Sequence, residues 1–175
     1  SNHLGTHLDG PRHFDTAGRD IAALELEKLC APGVVVDLSD QAEDWGIYTP
    51  EDIEKRVEVK EGDILIINTG YHKYGFDQPE ADERRYMLRH PGPSLDFIQW
   101  VREKKLKWIG VDCGSADHPM NTKIRDWEPM EAEKCNQVML ERYGKSLNEL
   151  YPWPEHYQAM HFELFTQPYE AIHAE

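Results

Sequence analysis

Basic residues are scarce in this chain: 19 lysines and arginines stand against 33 aspartates and glutamates, a formal charge of −14. Such a surface repels phosphate backbones, which argues against nucleic acid as a partner. Cysteine is scarcer still. Cys30, Cys113 and Cys135 are an odd set without CxxC spacing, so a disulfide scaffold is not indicated and the usage suits a reducing cytosol. No stretch approaches the ~18 apolar residues of a membrane span, and none resembles a signal peptide, so a soluble cytoplasmic protein is expected, with no membrane partner. There is no GxSxG elbow, and no cysteine lies beside a sequence-adjacent histidine motif, which leaves covalent nucleophilic catalysis without support. At 175 residues a single domain is expected, able to bury about 70% of its unfolded surface without staples.

What is present is a concentration of histidine in the first fourteen residues, SNHLGTHLDGPRHF, which carry His3, His7, Asp9 and His13. All four occupy odd positions, so an extended segment would project them from one face. A helix would turn Asp9 roughly 200° away from His7. Two imidazoles and a carboxylate form a borderline-hard site for Zn, Mn or Fe(II), and three protein ligands leave positions for water and substrate, the layout of a catalytic ion. Gly5 and Gly10 permit close approach, and Pro11 ends regular pairing just past the ligands. The bland alternative is a histidine-rich flexible terminus or tag remnant, against which the interleaved Gly-Thr, Asp and Gly-Pro argue. His13, beyond the Pro11 bend, is the candidate for moving protons, because an unperturbed imidazole titrates near pH 6.5. Its alternative role is to orient a ligand by a hydrogen bond.

The run from His3 to Phe14 resembles the HxGTHxDxPxHF signature of the metal-dependent cyclase-like hydrolase family, which includes bacterial kynurenine formamidase, isatin hydrolase and trans-dienelactone hydrolase. Gly62 to Tyr71 is similar to that family's GDxVLIxTGW strand, His90 to Ser94 to its HPGLS turn, and Gly110-Val111-Asp112 with Ser115, Asp117, His118 and Pro119 to its GVDxxSxDxP segment. The likeness runs from residue 1 to about 120 and resumes near His161. It implies an α/β protein of the swivelling β/β/α fold, with a mixed sheet and flanking helices, which opens a small cyclic or aryl amide, lactam or lactone with one or two Mn or Zn ions. By the same resemblance His161 and Glu175, with Asp9 bridging, serve a second metal position or substrate and water contacts. Tyr71 would line the substrate pocket, with a loop tyrosine as the alternative. Relatives are commonly dimers or tetramers and carry further segments on both sides, so a homo-oligomer is expected and the chain reads as the middle of a longer protein. A non-catalytic metal-binding protein and a metal-assisted cyclase or isomerase are the competing classes.

The remaining chain reads as scaffold. Ile21, Leu24 and Leu29 give helical spacing over 20–29 with Asp20 as N-cap, and Val34 to Leu38 is a β-branched run typical of a buried strand. Thr49-Pro50-Glu51-Asp52 starts a helix to about Val57, Asp63 to Asn68 is a second strand, and a helical stretch is expected around Ala81 to Leu88. Leu95, Phe97, Ile98 and Val101 mark an amphipathic helix. Lys107 to Asp112 is a third strand, whose following loop offers Ser115, Asp117 and His118 either to the site or to a turn in which Asp117 caps backbone amides. His72 is expected to be solvated. Residues 124–158 depart from the shorter relatives as a helical and aromatic insertion, with Cys135, Val138, Met139 and Tyr143 on one apolar side and Gly144 at the C-cap position. Its Tyr151-to-Tyr157 stretch would cover the site, contact a neighbouring subunit or simply cap the extra helix.

Overall fold

The computed structural model describes residues 5–166 and 172–174; His3 and Glu175, both expected in the site, lie outside them. The central sheet has five strands in the order β1-β7-β6-β4-β2: β1 Leu8–Asp9, β2 Gly33–Asp37, β4 Ile64–Asn68, β6 Trp108–Val111 and β7 Ile172–Ala174. Strands β2, β4, β6 and β7 run parallel, in a register that sets Val36 beside Ile67 and Ile67 beside Val111. Only β1 is antiparallel, pairing Leu8 with Ala174 and Asp9 with His173. A separate two-stranded parallel ladder joins β3, Ile47–Tyr48, to β5, Gly92–Pro93.

Period-two alternation divides the sheet into two faces. Val36, Leu65, Ile67, Ile109 and Val111 point inward and are buried. They belong to one core with Phe97, Ile98 and Val101 of α5, Asp96–Lys104, and with Met160 and Leu164 of α9, Ala159–Leu164. The opposite face carries Val35, which is 59% exposed, and Ile66. The expectation of a buried strand at 34–38 is therefore corrected: β2 lies at the edge of the sheet and buries alternate residues only.

Local chemistry explains the element boundaries. Thr49 accepts a hydrogen bond from the Asp52 amide while the Asp52 carboxylate accepts from the Thr49 amide, so a capping box opens α3, Pro50–Glu54. Such caps contribute about 1 kcal/mol. The helix stops short of Val57. Asp20 does cap, accepting from the Ala22 amide, yet it starts only a 3-10 turn over Ile21–Ala23. Leu24 then turns extended before α2, Leu26–Leu29, so the single helix expected over 20–29 is two short pieces. The stretch expected around 81–88 forms α4, Glu83–Leu88, capped by Asp82.

Residues 124–150 build a second core. Helix α6, Ile124–Trp127, leads into α7, Pro129–Tyr143, which ends at Gly144 in the left-handed conformation, and α8, Leu147–Leu150, follows. Cys135 and Met139 of α7 are fully buried with Trp45, Met120, Leu147 and Tyr151. Glu131, on the same helix, is only 3% exposed and forms a two-point ion pair with Arg89 at 2.8 and 3.1 Å. That pair ties α7 to the chain just after α4. Among the described residues no helix is long and apolar enough to cross a membrane.

Candidate active site

The histidine motif is gathered by a device different from a fully extended segment. Asp9 lies on β1, but Pro11 opens a helical turn, α1, Pro11–Phe14. Proline is suited to that first helical position because its missing N–H has no partner to lose there. The turn carries His13 back toward Asp9, four residues earlier, with His13 Nδ1 3.9 Å from Asp9 Oδ1. His7 Nδ1 is 2.9 Å from the Gly5 carbonyl. A carbonyl only accepts, so this nitrogen carries a proton, and in the neutral ring Nε2 holds the lone pair. Nε2 lies 3.5 Å from Asp9 Oδ2.

That distance tests the fit of a cation. Two acceptor atoms facing one another repel unless a positive centre lies between them. Ligands held about 2.1 Å from a tetrahedral ion stand about 3.4 Å apart, so the His7–Asp9 spacing suits one edge of such a polyhedron. Both side chains are largely shielded, at 18% and 12% exposure, whereas His13 is 44% exposed. Among the described residues no three His, Cys, Asp or Glu side chains close on a common point; the expected ligands His3 and Glu175 are outside that set.

His161 reaches the same region through aromatic contacts. The Phe14 ring lies 4.9 Å from His13 and 5.0 Å from His161, and Phe165 packs against both Phe14 and His161. His161 Nδ1 is hydrogen-bonded to Asp117, whose carboxylate also accepts from the backbone amides of Met160 and His161 at 3.0 and 3.2 Å. Of the two roles open to Asp117, the capping of backbone amides is present, together with a direct bond to an expected ligand.

The other expected residues have the following surroundings. Ser115 Oγ accepts from the Asp117 amide at 3.2 Å and so shapes the loop. His118 is 1% exposed, stacks on Tyr151 at 4.9 Å and accepts from the Met120 amide. Burial pushes its imidazole down to about 3, which keeps the ring neutral. Tyr71, only 3% exposed, lines a cavity of about 390 Å³ with Thr69, His72, Tyr74 and Arg85, and it donates to Asp44 at 2.7 Å. Burial, and then the Asp44 bond, raise its phenol well above the ordinary value. This cavity adjoins β4, and β6 and β7 stand between that strand and β1.

Two carboxylates with structural leverage were not among the expected site residues. Asp44 accepts from both Tyr71 and the Arg85 Nε at 2.7 Å. Asp112, at the end of β6, accepts from the Thr69 amide and hydroxyl and from the Gly70 amide, and it meets His72 Nδ1 at 2.8 Å. His72 is thus exposed at its edge but anchored, not simply solvated. Its neighbour Asp112 lies within a recognisable segment, so the partner was findable; Asp44 lies in no recognisable segment.

The model of the Cyclase family matches residues 1–118. This chain belongs to the Cyclase family. Relatives of the cyclase-family chain include an isatin hydrolase of Roseibium aggregatum, 32% identical over 65% of this chain and 49% of the relative. A kynurenine formamidase of Bacillus thuringiensis is 28% identical over 70% of this chain and 52% of the relative. The chain therefore spans about half the length of these curated relatives. Isatin hydrolase A of Ralstonia solanacearum shares the fold with a TM-score of 0.63 at 19% identity, over 98% of this chain and 58% of that one. The α/β cyclase-like architecture expected from the motifs is the one observed.

Proposed function

We propose that this protein is a metal-dependent hydrolase that opens a small cyclic or aryl amide, lactam or lactone. The observation that carries the reading is the convergence of the His7 lone-pair nitrogen and the Asp9 carboxylate at 3.5 Å, with His13 beside them. Membership in the Cyclase family, and relatives named for isatin and kynurenine-type amide hydrolysis, support the substrate class. When bound, a divalent cation polarises a carbonyl and makes water acidic enough to supply hydroxide near neutral pH.

The residues divide the remaining work. His7 and Asp9 hold the ion, with His3, His161 and Glu175 as the further ligands that the family pattern assigns. The Gly5 carbonyl holds His7 in the tautomer that directs Nε2 toward Asp9. His13 receives the proton released by the attacking water and returns it to the leaving nitrogen or oxygen, a two-way task suited to imidazole. Phe14 and Phe165 wall one side with apolar rings, and a low-dielectric wall strengthens the electrostatic interactions beside it. Mn or Zn, a homo-oligomeric assembly and a cytoplasmic setting complete the reading.

The test is chelation followed by add-back. The protein is purified, its metal content measured, and the ion stripped and restored while isatin-type lactams, N-formylated aryl amines and lactones are assayed. Loss and recovery of turnover with the ion, and loss of both ion and turnover in Asp9→Asn, are expected. Full activity after complete removal of the metal overturns the mechanism. Incorporation of solvent oxygen into the product distinguishes hydrolysis from isomerisation, and light scattering tests the assembly.

A further inference from the structure

We infer that Asp117 is a positioning residue for His161, holding its ring in the Nδ1–H tautomer so that Nε2 presents the lone pair to the metal centre. This rests on the metal-centre reading above. Asp117 is 1% exposed and spends both carboxylate oxygens at the start of α9: Oδ1 accepts from the Met160 amide, and Oδ2 accepts from the His161 amide and ring. A buried carboxylate is costly unless its lone pairs are satisfied, and here the donors are the Met160 amide together with the backbone and ring of the residue to be oriented.

The geometry leaves the imidazole little choice. The backbone bonds fix the start of α9, and with it the His161 Cα–Cβ direction. The bond to Oδ2 then sets the ring rotation, because a carboxylate accepts and cannot donate, so Nδ1 must carry the hydrogen. Phe14 and Phe165 meet the ring at 62° and 89°, bracing its plane. The carboxylate is itself fixed from behind, since the Asp117 amide donates to Ser115 Oγ and the Cys113 thiol to the Ser115 carbonyl. A carboxylate that takes the second ring proton of a histidine raises the basicity of the other nitrogen and restricts its orientation, and losing such a partner typically weakens metal affinity by about 10–100-fold. A cap alone would require the two amide bonds and not the ring bond.

Long-range proton–nitrogen NMR of the metal-free intact protein, with His161 assigned by difference against His161→Gln, reads the tautomer directly. A protonated Nδ1 and a bare Nε2 are expected. In Asp117→Asn the side-chain amide offers one acceptor in place of two, so the tautomer preference should relax, and Zn2+ titrated by calorimetry should bind about 10–100-fold more weakly. A native His161 protonated on Nε2 overturns the assignment, as does an Asp117→Asn variant with unaltered tautomer and Zn2+ affinity. If that variant does not fold, the native tautomer alone decides. Activity that survives chelation would sink the metal-dependent mechanism and leave the tautomer measurement standing, so the two failures are distinguishable.

Discussion

Glu131→Gln offers a quantitative probe of how α7 is fastened. The Glu131 side chain is 3% exposed and receives two hydrogen bonds from Arg89 and one from Lys134 at 2.9 Å. The Arg89 hydrogen bonds, helped by Lys134, hold its carboxyl at about 2 against an ordinary 4.5. A depression of that size corresponds to roughly 3 kcal/mol. Arg89 is 29% exposed, and solvent screening lowers the figure to about 2 kcal/mol. Because the folded value is the lower one, the stabilisation is complete above pH 4.5 and is lost as the pH falls toward 2. Glutamine keeps the shape and one acceptor but not the charge. Urea denaturation at pH 7 should therefore show the variant about 2 kcal/mol less stable than the parent, with a melting temperature lower by roughly 4–8 °C. At pH 3 the gap should have shrunk by about half, because the carboxyl is by then protonated in the unfolded parent chain while still mostly ionised in the folded one. A gap that is absent at pH 7, or equal at pH 7 and pH 3, refutes the reasoning.

Two further outcomes are expected. His13→Ala should lower turnover by about 10²–10⁴-fold while the bound-metal stoichiometry stays unchanged, which steady-state kinetics and elemental analysis check together; loss of the metal would instead make His13 a ligand or a ligand's support. Gly92→Ala should destabilise the fold, because a Cβ there would stand 2.3 Å from the His118 Cα, a backbone atom that cannot swing aside. The cost, on the order of 1–3 kcal/mol for an overpacked site, is readable by thermal melting.

The sequence disclosed most where a motif or a period forces one geometry. Phe97, Ile98 and Val101 fall on the core side of α5 as their spacing requires, and Gly144 ends α7 in the left-handed conformation. The grouping of His7, Asp9 and His13 was legible, although the route was not. Odd-position spacing pointed to a continuous extended strand, whereas Pro11 starts a turn of helix and reaches the same grouping through an i,i+4 relation. Asp44 and the Arg89–Glu131 pair were not legible, because each joins elements far apart in the chain and neither leaves a local pattern. His118 shows the reverse limit. Its residue type suggested chemistry, but its burial against Tyr151 could not be read, because burial is a property of the whole fold that no short window encodes.

Strand β1 is held in the sheet by β7, so the first and last strands of the described chain lie side by side, with Asp9 on that seam. The candidate site therefore cannot assemble on a nascent polypeptide until β7 has emerged from the ribosome, and it belongs to the slow, non-local part of folding. A cation bound there would act as a clasp on the two ends. At a free concentration one hundred times its dissociation constant, it would hold the clasp shut by about 2.7 kcal/mol.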